Sequence, residues 1–187
     1  MKRAFSRRLG VETLESRDLM AGDVTVSLSQ GSLIITGDAA ANVISITQVS
    51  TTGFKVTGQG TTINGVNSAA TFNVTNSIRL NMRGGNDTVN VGTGPGSVYL
   101  NKDFVANMGA GRDTLNITNA RARNINLKLG GGRDTINLAG LITVTGVVKA
   151  DGQGGRDVAR QAPGTNYIID VNKPHSLRSI EVENTPF

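Results

Sequence analysis

The chain has 187 residues with no cysteine and one histidine, His175, which excludes disulfides, thiolate chemistry and a histidine-based metal site. Lys and Arg exceed Asp and Glu by 19 to 14, but four of the cations fall within residues 1–8. Arg121, Arg123 and Lys128 form the only other acid-free group, so nucleic acid is not an expected partner. No run approaches the roughly 20 apolar residues of a membrane-spanning helix, and the length suits one domain behind a short leader.

Residues 1–22 differ in kind from the rest. Lys2, Arg3, Arg7 and Arg8 precede Leu9, Val11, Leu14, Leu19 and Met20, with Glu12, Glu15 and Asp18 among them. The acids interrupt the unbroken apolar stretch of about 7–15 residues that a secretory signal needs. Leu14-Glu15-Ser16-Arg17-Asp18-Leu19-Met20 instead resembles the LEPR-XLL leader of large repetitive bacterial surface proteins, with Ser16 in place of the proline and Met20 in place of the last leucine. The resemblance implies export or surface attachment. The alternative reading, from the residues alone, is a frayed basic amphipathic terminus.

Residues 23–187 read as a single all-β domain. Val24, Val26 and Leu28 alternate up to Gln30-Gly31, and Leu33 and Ile35 alternate after it, which is the pattern of a β-hairpin and suits an N-terminal cap. Ser50–Asn76 is the least regular stretch, with Phe54, Val56, Ile63, Val66, Phe72 and Val74 as expected core. Beyond it the sequence repeats itself. Asp87-Thr88-Val89-Asn90-Val91 recurs as Asp113-Thr114-Leu115-Asn116-Ile117 and as Asp134-Thr135-Ile136-Asn137-Leu138, with a worn copy at Asp157-Val158-Ala159-Arg160. Weaker copies begin at Asn42 and Thr61, giving steps of 19, 26, 26, 21 and 23 residues, the lengths of single coils. Apolar residues alternate before the glycines (Ile78, Leu80, Met82; Ile125, Leu127, Leu129) as well as after the aspartates.

A unit with one buried residue in two cannot enclose a core alone and has to stack on its neighbours, so the repeat predicts a parallel β-solenoid (β-roll or β-helix). The glycine-rich runs before the aspartates reverse the chain between two strands of one coil. Pro163-Gly164 ends the repeat, Tyr167–Val171 and the Ile180/Val182 segment are expected as strands of a C-terminal cap, and Pro186 and Phe187 are expected to be loose.

The runs Gly109-Ala110-Gly111-Arg112-Asp113 and Gly130-Gly131-Gly132-Arg133-Asp134 resemble the Gly-Gly-x-Gly-x-Asp-x-U-x nonapeptide of RTX proteins, whose β-roll holds calcium between turns. Met108 and Leu129 stand where the family has its first glycine, Arg83 and Gln153 stand at the second position of the flanking copies, and the motif occurs once per coil instead of every nine residues. The resemblance covers about residues 80–160. It implies calcium as a cofactor, bound by Asp87, Asp113, Asp134 and Asp157. Read from the residues themselves, a column of stacked aspartates about 4.8 Å apart needs a cation or protons, and three solutions stand open: calcium, neutralisation by Arg112, Arg133 and Arg156, or aspartates that fix their turns.

Thr88, Thr114 and Thr135 should face outward beside Asn90, Asn116 and Asn137, either as a small binding face for polysaccharide or as rows that hydrogen-bond up the stack. Asp103, Lys102, Arg121 and Lys128 are the residues a polysaccharide-lyase-like groove would use, but no nucleophile–base pair is suggested. The expectation is a non-enzymatic extracellular or cell-surface structural or adhesive module, with polysaccharide or other surface proteins as partners; a solenoid carbohydrate-active enzyme or a metal-free polysaccharide-binding module is the alternative.

Overall fold

The computed structural model describes residues 22–92, 98–100 and 102–162, together with the backbone of Asn166–Ile169, Ser176–Arg178 and Ile180–Glu183. The leader expected at residues 1–22, apart from Gly22, lies outside the described residues, as do Pro163-Gly164, Val171, His175 and Pro186-Phe187. Every regular element among the described residues is a β-strand.

Two parallel sheets face each other, and each coil contributes one strand to each. The first sheet stacks Ser32–Thr36, Ile78–Asn81, Asp103–Asn107, Asn124–Lys128, Val148–Asp151 and Ser176–Arg178. The second stacks Val43–Gln48, Thr88–Val91, Thr114–Ala122, Thr135–Val144, Asp157–Gln161 and Ile180–Glu183. This is the expected parallel β-solenoid. The alternation of the sequence becomes the alternation of burial, because successive side chains of a strand point to opposite faces.

The register places Val89, Leu115 and Ile136 in one internal column with Ile44 and Ala159, and Val91, Ile117 and Leu138 in the next with Ile46. Across the core, Leu33, Ile78, Phe104, Ile125 and Val148 form a facing column. Phe104 and Ala106 stand two residues apart on the same inward face, a large side chain beside a small one. Met82, Met108 and Leu129, all at most 1% exposed, fill the angle where the first sheet ends.

The two long strands of the second sheet bend partway along, at Asn119 (φ 48°) and Gly140 (φ 70°), and Gly92 (φ 76°) turns at the same level one rung earlier. Beyond the bend, Val98–Tyr99 pairs with Thr114–Ala122, and Asn166–Ile169 pairs with Thr135–Val144.

The N-terminal end is built differently from the rest. Asp23–Ser29 pairs antiparallel with Ser32–Thr36 through a two-residue turn at Gln30 (φ 48°) and Gly31 (φ 72°), the positive φ pair of a tight hairpin whose twist matches its strands. The hairpin cap expected from the sequence is therefore present, but it does not work alone. Gly53–Gly58 pairs antiparallel with Val43–Gln48, and Ala70–Asn73 pairs antiparallel with Gly53–Gly58, extending the second sheet outward.

Two sequence expectations fail here. The copy at Thr61 is not a coil, because Thr62–Ile63 lies parallel to Asp23–Val24 at the margin of the first sheet. The step from the rung of Asn42 to that of Asp87 is thus 45 residues, not 19 and then 26. Val66 is not core either: it is 54% exposed, just past the tight turn of Asn64 and Gly65 that carries the chain away from the interior. Phe54, Val56, Ile63 and Val74 are buried and Phe72 packs partly against them. At the far end the expected strands are present as Asn166–Ile169 and Ile180–Glu183 and run parallel to their neighbours, so the C-terminal strands continue the stack.

Candidate functional site

The corner joining the first sheet to the second carries the glycines and aspartates. Its backbone stacks as tightly as its sheets do: Gly84, Ala110 and Gly131 bridge in parallel, and Gly131-Gly132 pairs with Gly154-Gly155. At Gly132, with φ of +142°, a Cβ would run into the backbone carbonyl of Gly111 one rung below. Glycine is needed here for two separate reasons, conformation and contact.

Asp87, Asp113, Asp134 and Asp157 do form one column, and they face inward, each no more than 2% exposed. Each carboxylate reaches back one rung. The Asn42 N–H donates to Asp87 Oδ1 at 2.8 Å, the Asp87 N–H to Asp113 Oδ1 at 2.8 Å, the Asp113 N–H to Asp134 Oδ1 at 2.8 Å and the Asp134 N–H to Asp157 Oδ1 at 2.9 Å. The aspartate carbonyls in turn accept from Thr114, Thr135 and Val158 N–H groups at 2.8, 2.9 and 3.0 Å. The aspartate therefore supplies the acceptor its neighbour's N–H needs where the chain leaves the corner and the regular ladder begins.

One oxygen of each carboxylate is left over. Oδ2 of all four aspartates is buried without a hydrogen-bond partner, an arrangement that costs free energy for every charged rung. Burial accordingly pushes Asp87, Asp113 and Asp134 up to about 6, against the lowering influence of the N–H donors. Neighbouring negative charge adds to the rise: Asp38 acts on Asp87, Asp87 on Asp113, and both Asp113 and Asp157 on Asp134.

This geometry bears on the cation question. Calcium takes six to eight oxygens, whereas no group of three or more acidic or histidine side chains among the described residues is arranged to hold a metal ion. Corner carbonyls that the RTX resemblance would enlist are engaged along the stack: Arg83 O accepts from Ala110, Gly109 O from Gly131, Gly130 O from Gly154 and Gly131 O from Gly111. A calcium ion at this corner would have to draw on the leftover Oδ2 atoms and on carbonyls that already accept one hydrogen bond each. Arg112 and Arg133 are exposed while the aspartates that follow them are buried, and neither forms an ion pair among the described residues.

A signal for this inward orientation was present in the sequence. Asp87 shares the parity of Val89 and Val91, and Asn42 that of Ile44 and Ile46, so strict alternation already places them inside. Asn42, fully buried, opens the ladder in aspartate's place and binds Asp38 Oδ1 and Ala40 O through its amide. Thr61, misread as the start of a coil, has its own capping role: its hydroxyl accepts from the Val43 N–H at 2.8 Å. Burial acts to raise the Asp38 carboxyl, but the Asp23 N–H, the Asn42 amide and the Ala40 N–H together hold it below its ordinary value.

The outward rows also form. Thr88, Thr114 and Thr135 stand in register, half-buried, beside the asparagine row. Asn116 Nδ2 donates to Asn90 Oδ1 and Asn137 Nδ2 to Asn116 Oδ1, both at 2.7 Å, so the asparagines do bond up the stack.

The residues a lyase groove would need are spread over several faces. Asp103 accepts from the Asn124 amide at 2.8 Å and lies 3.6 Å from Arg123 Nε at the start of a first-sheet rung. Lys128 sits at the other end of the neighbouring rung, and Arg121 lies beyond the bend of the second sheet.

A family model described as Planctomycete extracellular matches residues 6–24, the stretch that reads as a leader. No curated protein and no solved structure matches the chain. No helix among the described residues is long and apolar enough to cross a membrane. The matching stretch thus resembles an extracellular family, and the described residues after it fold as a parallel β-solenoid.

Proposed function

We propose that the chain is a non-enzymatic structural module carried outside the cell, in which residues 1–22 direct export or surface attachment and the solenoid provides a stiff, self-supporting body. The extracellular family match over residues 6–24 carries the reading. It is supported by the economy of the rest: the recurring aspartates of the corner are engaged in holding one rung to the next. The buried aspartates act as hydrogen-bond acceptors for the preceding rung, and the module needs no resident metal to hold its shape. The catalytic alternative draws no support from the scatter of Asp103, Arg121 and Lys128. A half-open concavity over the first sheet is lined in part by Lys128, Lys149 and Asp151.

Deleting residues 1–22 tests the reading. The truncated chain should keep the melting temperature of the full chain within a few degrees, while the protein ceases to appear outside the cell or on its surface. Export that survives the deletion would overturn the assignment, and a collapse in stability would show that the segment belongs to the folded body.

A further inference from the structure

We propose that the glycine corner is a binding ridge for an acidic polysaccharide, which Arg112 and Arg133 hold through its carboxylate or sulfate groups. The observation is a row of cations in strict register. Arg112 stands over Asn86, whose Oδ1 accepts the Arg112 N–H at 2.7 Å, and the pairing of Gly132 with Gly155 sets Arg133 beside Arg156 on the next rung. All three arginines are exposed and follow one another at the inter-strand step of about 4.8 Å. Arg123, at another corner, is paired with Asp103, whereas Arg112 and Arg133 have no ion-pair partner among the described residues.

Their surroundings define what such a row can receive. On one side the ridge is flanked by the small residues Gly84, Ala110, Gly131 and Gly154, with exposed Arg83 and Gln153 one position further back on the first and last of these rungs. The other side carries the threonine row and, beyond it, the asparagine row, groups that hydrogen-bond with hydroxyls. The acids of the same corner point to the opposite side of the backbone and are closed off from the surface. Guanidinium groups bind carboxylate and sulfate-like oxyanions in a forked geometry, so a repeated spacing favours a repeated anion over a single one.

The same features argue against nucleic acid. No aromatic residue occurs in the ridge or its two flanking rows to stack on a base. Phosphates of a DNA strand recur at about 3.4 Å along the axis, out of step with the rungs. The proposal goes beyond a structural module and is independent of where the chain resides, because it concerns what the folded chain binds.

The experiment measures binding of the full chain to polygalacturonate, to dextran sulfate, to neutral dextran and to duplex DNA, over a range of salt. Wild type should bind at least one of the two acidic polymers with a salt-dependent affinity, and the polymer it prefers identifies carboxylate or sulfate as the anion. Arg112→Ala combined with Arg133→Ala should weaken that binding about tenfold or more, with an unchanged melting curve since both side chains are exposed. Arg79→Ala combined with Lys149→Ala, which removes two exposed cations from the face of the first sheet, should leave it within about twofold. Absence of binding to both acidic polymers, an equal loss in the two double variants, or duplex DNA bound as tightly as the polysaccharides would each overturn the proposal.

Discussion

The two ends of this molecule solve the same problem by opposite means. From Ile78 onward the chain repeats one parallel rung, and each rung is tied to the next by the same pair of bonds, aspartate N–H to aspartate carboxylate at the corner and asparagine to asparagine on the second sheet. From Asp23 to Val74 only the rung begun at Asn42 belongs to the repeat. Antiparallel pairs are added to the stack there, and the buried backbone is capped by single devices: Asn64 brackets Val26 through the Val26 N–H and C=O at 2.7 and 3.0 Å, and Asp23 holds the Thr62 hydroxyl and the Gly65 N–H. A repeated rung can use one residue type many times but leaves each end of the column incomplete; an irregular block can close an end but needs a separate residue for each group it satisfies.

The sharpest way to break that comparison is a glycine in each region. Gly132 and Gly60 both have positive φ, but a Cβ on Gly60 meets nothing within 4 Å whereas one on Gly132 strikes the backbone below it. Gly60→Ala should cost about 1–2 kcal/mol from conformation alone. Gly132→Ala should cost substantially more and in the extreme prevent folding, because the two stacked backbones would have to separate. Thermal or urea melts of the two variants check this; equal losses would mean that the corner is looser than its geometry.

Next in size is the core. Leu115→Ala removes a fully buried side chain from the middle of its column and should cost about 2–5 kcal/mol in a urea melt. Thr114→Ala, on the outward row, should cost well under 1 kcal/mol.

A smaller effect separates the ladder from the single cap. Asp113→Ala leaves the buried Asp87 N–H without an acceptor and should cost about 1–3 kcal/mol at acidic pH, where relief of buried charge does not mask the loss. Asn64→Ala breaks two bonds to Val26 at a turn that water can reach, and should cost about 1 kcal/mol. Amide exchange should sharpen the contrast: Asp113→Ala should loosen Asp87 and its neighbours across rungs, while Asn64→Ala should affect only Val26 and the adjoining turn.

This contrast also explains what could be read in advance. The register of Val89, Leu115 and Ile136 was legible because a two-residue period combined with a repeated five-residue unit leaves one pairing that buries every apolar residue. Ser50–Asn76 was not, because a single antiparallel excursion has no second copy to compare it with, and the brief alternation at Thr61–Asn64 imitated a rung. For the aspartates the composition of the corner left metal, arginine or a turn-fixing role open. The parity of Asp87 with Val89 pointed inside, because strand geometry acts on every residue whatever its charge.

The raised carboxyls make a prediction about pH. Asp87, Asp113 and Asp134 titrate near 6 in the folded chain and near the ordinary 3.8 when unfolded, so the folded state binds more protons between those values. Their contribution is fully present below about 3.8 and is lost as pH rises through about 6. The melting temperature should therefore rise as pH is lowered from 7 towards 5. A melting temperature that falls over that interval would show that these carboxylates are stabilised as anions.

Asp113→Asn tests the ladder most directly. The amide keeps an oxygen for the Asp87 N–H, removes one buried charge, and offers an N–H at the level of the orphaned oxygens of Asp87 and Asp134, in the manner of the asparagine row outside. Melting temperatures of wild type and Asp113→Asn at neutral pH, each in millimolar calcium and in chelator, decide the matter. A ladder held by hydrogen bonds without metal predicts that Asp113→Asn melts at or above wild type and that calcium moves neither protein. A wild-type melting temperature that climbs with calcium, with the rise abolished in Asp113→Asn, would contradict it.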